Sequence, residues 1–163
     1  MTFHVGDKIV HPGHGAGVVV EIKALAFLGR EKKRYYSIDL LSDPGTIVMV
    51  PVRDADKVGL RRPMPSSKVK QVWGVLRSDP QVLPSDHKER YAVIQDKLHG
   101  GEPLRIAEAL RDMARRKEEK RSLTTEGKRL YDRAMKLLSA ELAVVQDSDT
   151  STAESEISKR LYW

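Results

Sequence analysis

The hydrophobic pattern of this chain changes its period once, across residues 59–66. Before that stretch, apolar residues alternate or run in short β-branched blocks. After it they recur every three or four positions. Side chains alternate faces with period 2 in a strand and repeat near 3.6 in a helix. Strands and helices are therefore segregated along the chain, which is the pattern of an α+β fold. The expectation is a small, bent antiparallel sheet or barrel over residues 1–62, then an all-helical unit of about five helices over 66–163. Gly59, Pro63 and Pro65, beside Arg61 and Arg62, read as a linker or boundary.

Within the first part, Phe3–His11 reads as a strand with a turn at Gly6-Asp7. A glycine turn follows at His11-Pro12-Gly13-His14-Gly15-Ala16-Gly17 and runs into a β-branched strand ending near Leu25. Glycines of this kind cradle phosphates when they open a helix. Here a strand follows, and no Gly-Lys-Ser/Thr is present, so the turn reads as structural. Gly29-Arg30 marks a hairpin tip. Arg34–Leu40 alternates, with Tyr36, Ile38 and Leu40 on one face. Asp43-Pro44-Gly45 is a turn, and Thr46–Val50 a strand stopped by Pro51. About 60 residues lie near the lower limit for an independent core, so this module is expected to lean on its neighbour or on a partner.

In the second part, Val69, Val72, Trp73 and Leu76 form one helical stripe. Pro80 and Pro84 break the chain. Asp86 and Glu89 form a capping box before a helix whose buried face is Tyr91, Ile94 and Leu98, closed by Gly100-Gly101. Pro103 opens a third helix through Ile106, Ala107, Leu110 and Met113 to about Lys120. Thr124 or Thr125 caps a fourth, with Leu130, Ala134, Leu137, Leu138 and Leu142 as its stripe. Gln146–Ser151 is a polar loop, and Ala153, Ile157 and Leu161 define a short last helix. Trp73 reads as core. Trp163, the final residue, reads as frayed or docked on the surface.

Composition narrows the function. There are no cysteines, which excludes disulfides and cysteine-based zinc sites. No apolar run approaches the ~18 residues that span a membrane. The N-terminus lacks the basic-then-apolar pattern of a signal peptide, so a cytoplasmic location is expected. Net charge is +6, and most of the surplus lies in residues 66–146. That permits an anionic partner such as nucleic acid. His11 and His14 have a spacing that could hold a metal, but no third ligand is apparent; exposed turn histidines are the simpler reading. No nucleophile elbow, triad or carboxylate pair stands out, so neither an enzyme nor a cofactor or small-molecule substrate is expected. The run Arg115-Arg116-Lys117-Glu118-Glu119-Lys120-Arg121 fits a solvated helix face or a phosphate-contacting one.

Taken in order, these segments resemble the CarD/CdnL group of bacterial transcription regulators. The resemblance rests on Phe3-x-Val5-Gly6-Asp7-x-Ile9-Val10-x-Pro12-x-His14-Gly15-Ala16-Gly17, on Val50-Pro51 and on Val58-Gly59-Leu60-Arg61. In the helical half it rests on Arg90-Tyr91, Ile106-Ala107-Glu108-x-Leu110-Arg111-Asp112, Arg115-Arg116, Lys128-Arg129-Leu130 and Glu141-Leu142-Ala143. It implies a Tudor-like N-terminal module that docks on the β subunit of RNA polymerase. It also implies a helical domain lying on promoter DNA at the upstream edge of the bubble and stabilising the open complex, with little DNA binding alone. The same N-terminal module occurs in the transcription-repair coupling factor, whose helicase motifs have no counterpart here.

The resemblance implies Leu25, Ile47 and Met49 at the polymerase surface, with Leu25 and Met49 standing where relatives carry arginines. It implies His87, Arg90, Gly101, Arg116 and Lys128 at the DNA. His87 occupies the place of a tryptophan that wedges the minor groove, Glu89 and Ala92 stand where bases are common, and Gly127 replaces an acidic residue. The chain thus reads as a divergent member. The alternative is a paralogous adaptor that binds polymerase or another protein without wedging DNA.

Overall fold

The computed structural model describes residues 1–161; the expectation for Trp163 lies outside the described residues. Four antiparallel strands form one sheet in sequence order: β1 (Lys8–His11), β2 (Gly15–Leu25), β3 (Lys33–Leu40) and β4 (Ile47–Pro51). The first strand is shorter than its sequence suggests. Gly6 has a φ of 93°, and its N–H donates to the Val19 carbonyl at 2.7 Å. Residues 3–7 therefore cross the sheet instead of extending along it. That places Phe3 in the core, edge-on to Tyr36 at 5.7 Å.

The bend has two local causes. A bulge between Val19 and Glu21 of β2 sends Val20 outward and increases the strand's twist. At Gly17 any Cβ would lie 2.5 Å from the Asp39 carbonyl oxygen, so only glycine lets β2 and β3 approach this closely. The inner face packs Val19, Tyr36, Ile38, Leu40 and Val50 against Phe3, Ile9, Ala55 and Leu60. Ala55 belongs to α1 (Ala55–Val58), a single turn closed by Gly59 at φ 94°.

The helical unit comprises α2 (Val69–Arg77), α3 (His87–Leu98), α4 (Pro103–Lys120), α5 (Thr125–Val145) and α6 (Thr150–Leu161). Four of these five starts, those of α3 to α6, have a side-chain cap. The Asp86 carboxylate accepts the Glu89 N–H, Glu102 accepts those of Leu104 and Arg105, and the Thr124 hydroxyl accepts that of Gly127. The side chain of Asp149 accepts the Thr152 N–H, and α6 begins at Thr150, one residue before the expected end of the polar loop at Ser151. On α3 the buried positions are Arg90, Ile94 and Leu98; Tyr91 is only half-buried. Trp73 is likewise half-buried, its ring covered by the Arg160 guanidinium at 3.8 Å.

The two parts are fastened along a seam where β2 lies on α5. Val10, Ala16, Ala140 and Val144 form its apolar centre. At its edge the Arg61 guanidinium donates to both carboxylate oxygens of Glu141, at 2.8 and 2.9 Å, and to the Gly101 carbonyl at 2.7 Å. Glu141 is 2 % exposed and also accepts the Met64 N–H at 2.7 Å. Residues 59–66 are therefore no loose linker. Leu60 is buried in the sheet core, Met64 in the helical core, and Arg61 bridges to Val10 of β1. A sheet module this small gains the extra buried surface it needs from its neighbour.

Candidate functional site

The register of the sheet settles which residues share its outer face. Ser37 faces Met49, Asp39 faces Ile47, and Tyr35 faces Pro51 and Lys23. Leu25 pairs with Lys33 two positions further along β2. By alternation Leu25, Ile47 and Met49 all lie on the face turned away from the sheet's own core. Ile47 is 49 % exposed and Met49 38 %, while Leu25 is half-buried at the far end of the strand. β4 is also the edge strand, so one side of its backbone has no ladder partner within the sheet. An apolar outer face beside an open edge can take an added strand or a flat protein surface.

The second surface lies where α3 begins, α4 ends and α5 begins. The Tyr91 hydroxyl and the Thr124 hydroxyl hydrogen-bond, tying the second turn of α3 to the cap of α5. His87 is exposed, its ring 6.0 Å from that of Tyr91. Lys128, one turn past Thr124, is exposed too, and Arg116 lines the cleft of about 300 Å³ between these elements with Lys120 and Gly127. The side chains of Arg116, Lys120, Arg121 and Lys128 make no hydrogen bond or ion pair to any other described residue. His87, Arg116 and Lys128 are thus gathered around the Tyr91–Thr124 contact. Tyr91 and Thr124, which organise the cluster, carried a packing and a capping signal in the sequence, and Tyr91 belonged to a resemblance motif, but neither was expected at the contact surface.

Of the other two expected contact residues, Arg90 lines the same cleft from inside and Gly101 sits elsewhere. Arg90 is 5 % exposed, and its guanidinium donates to the carbonyls of Pro84 and Ser85 at 3.2 and 3.0 Å. It braces the turn that presents His87. Arg111 and Asp112 brace the preceding part of the same loop: Arg111 donates to Ser78, and Asp112 accepts the Gln81 N–H. Gly101 is buried at the seam with a φ of 70°, and a Cβ there would meet the Pro12 backbone at 3.2 Å. Its carbonyl serves Arg61. Sequence reasoning also passed over Glu141 as a seam residue. The available signal was a carboxylate inside the apolar run Leu137–Ala143.

The histidine turn is explained by backbone satisfaction. His11 Nδ1 accepts the N–H groups of Gly13 and His14 at 3.0 and 3.2 Å. Burial, and then the neighbouring His14, lower the His11 pKa below its ordinary value. Both effects favour the neutral ring that can accept those bonds. Among the described residues no three His, Asp or Glu side chains are grouped to hold a metal ion. No described helix is long and apolar enough to cross a membrane.

Comparison with known proteins adds the decisive observation. Residues 3–64 match the model of the CarD-like/TRCF RID domain, and residues 71–158 match the CarD C-terminal domain. The chain belongs to the CarD family. It is also 34 % identical over 146 residues to "Putative transcription factor YdeB" of Bacillus subtilis (strain 168), covering 88 % of this chain and 92 % of that one. The α+β architecture, with a Tudor-like sheet module first and helices after it, is that expected of a CarD-like chain. This CarD-like protein is a transcription regulator linked to RNA polymerase. The family is of a transcription-factor type, which is in general non-enzymatic.

Proposed function

We propose that residues 1–62 dock on the RNA polymerase β subunit, and that residues 66–163 contact promoter DNA at the upstream edge of the bubble and prolong the open complex. The observation that carries this reading is the separation of two exposed surfaces of opposite character. The sheet offers the apolar Ile47 and Met49 beside an open strand edge, with Leu25 further along the same face. The helical end offers the side chains of Arg116 and Lys128, without a partner among the described residues, beside His87. Apolar, edge-bearing surfaces suit proteins, and unpaired cations suit phosphates.

Lys128 and Arg116 hold phosphates, His87 sits near the groove, Arg90 supports the turn beneath it, and Gly101 acts through the seam. The protein works in the cytoplasm at the nucleoid, with no catalytic step and no cofactor. Few phosphate contacts give weak binding alone, and docking on polymerase raises the local concentration enough for them to matter. Preferential binding to melted DNA shifts the melting equilibrium by the difference in affinity alone.

The test is Lys128→Glu in two assays. Polymerase pull-down stays at the wild-type level while the open-complex lifetime falls; equal loss of both contradicts the division of labour. A second reading, an adaptor without DNA wedging, is favoured by the burial of Arg90 and Gly101 and by the small ring of His87. His87→Trp separates the two: a longer open-complex lifetime supports a weakened wedge, and an unchanged one supports the adaptor.

A further inference from the structure

The β2–β3 hairpin carries a feature that the two surfaces above do not use. Arg30-Glu31-Lys32-Lys33-Arg34 has four bases against one acid, so its net charge equals the +3 of the whole of residues 1–65. All of the module's excess charge is placed at one tip. Arg53 joins it across a cleft of about 320 Å³ that Glu31, Lys32, Lys33, Arg34 and Val52 also line, four bases against one acid. Arg30, Lys32, Lys33, Arg34 and Arg53 are exposed, and their side chains make no hydrogen bond or ion pair to another described residue. Like charges held this close repel one another, and an external anion relieves that repulsion.

The tip itself is apolar. Leu28 is 97 % exposed and held at a φ of 53°, ahead of Gly29 at 71°. A left-handed backbone is uncommon for a leucine. Phe27 is half exposed and packs edge-on against Tyr35 at 5.6 Å, which continues the outer face that carries Leu25 and Met49. From Ala16 at the seam, β2 runs nine residues to Leu25, about 30 Å at strand rise. The hairpin is therefore continuous with the docking face and remote from the helices.

We infer that this hairpin is a second recognition element, in which Phe27 and Leu28 anchor in an apolar pocket while the 30–34 cluster pairs with an acidic segment of the polymerase. It rests on the reading of the sheet as the polymerase-docking module and gives that partner a chemistry. Continuity with the outer face favours a protein over DNA. The expected signature is electrostatic steering, read in the association rate and its salt dependence.

The test uses the full chain binding to immobilised cognate core RNA polymerase at about 50 and about 300 mM salt. Lys32→Glu with Lys33→Glu is expected to slow association about tenfold at low salt and to flatten the salt dependence. Leu28→Ser is expected to speed dissociation. Both changes lie at exposed positions, and an unchanged melting temperature confirms folding. If the charge reversal associates like wild type while Met49→Asp loses binding, the hairpin inference fails and the docking reading stands. If wild type itself does not bind polymerase, the docking reading fails and takes this inference with it. If the reversal binds polymerase normally but loses retention on duplex DNA, the hairpin is a nucleic-acid element and the inference is overturned.

Discussion

Charges are handled in opposite ways at the seam and on the outer surfaces. At the seam, Arg61 and Glu141 satisfy each other, and their remaining groups meet the Gly101 carbonyl and the Met64 N–H. On the outer surfaces, the side chains of Arg116, Lys120 and Lys128 at the helical end have no partner among the described residues. A buried and fully paired ion pair fixes geometry and has little left to offer a ligand. An unpaired exposed charge does little for stability and keeps its full capacity for an external anion. The same residue type therefore holds the two modules in register at one place and stands ready for partners at another.

That contrast can be broken experimentally. Arg61→Ala strands the Glu141 carboxylate in the seam. It is expected to cost about 3–5 kcal/mol in urea unfolding, the range for a buried pair that loses one member. Gly101→Val combines a positive φ with a contact on the Pro12 backbone and is expected to cost about 1–3 kcal/mol. Arg90→Ala frees the Pro84 and Ser85 carbonyls, for about 1–3 kcal/mol. Lys128→Glu and Met49→Ser change stability by no more than about 0.5 kcal/mol. If Lys128→Glu unfolds the protein as Arg61→Ala does, the distinction between holding and contacting residues is lost.

The smallest effect is a pH dependence at the glycine turn. The His11 pKa is lowered in the folded protein from 6.5, by burial and then by His14. Between that value and the lower folded one, the unfolded chain binds more protons, so stability falls as pH drops below about 6.5. Glu102 and Asp149 also lose stability on acidification, but their carboxyl pKa values are lowered from 4.5 and 3.8, so their window lies lower. His11→Asn is expected to flatten the unfolding midpoint between about pH 7 and 5 and to leave the acid limb unchanged.

Much of the fold was legible because period and punctuation speak locally. The stripes of α2, α4 and α5, the caps at Asp86 and Thr124, the Gly29 tip and the Tyr36-Ile38-Leu40 face all follow from neighbours within a few residues. The β1 strand was over-extended because Gly6 and Phe3 are placed by long-range contacts with Val19 and Tyr36. Arg90 and Gly101 illustrate the limit at the site. A sequence position associated with DNA contact does not say whether its side chain points outward, and α3 turns Arg90 inward where Tyr91 was expected. The Arg61–Glu141 pair spans 80 positions, and no local pattern announces it.

The division of labour between the two surfaces is the central claim, and amide hydrogen exchange on the full chain tests it most directly. With core polymerase alone, protection is expected over β4 and the outer strands around residues 25–35 and 47–51. Addition of promoter DNA is expected to extend it to residues 87–91 and 116–128. Protection of residues 87–91 and 116–128 by polymerase without DNA, or no protection of β4 at all, would contradict the account.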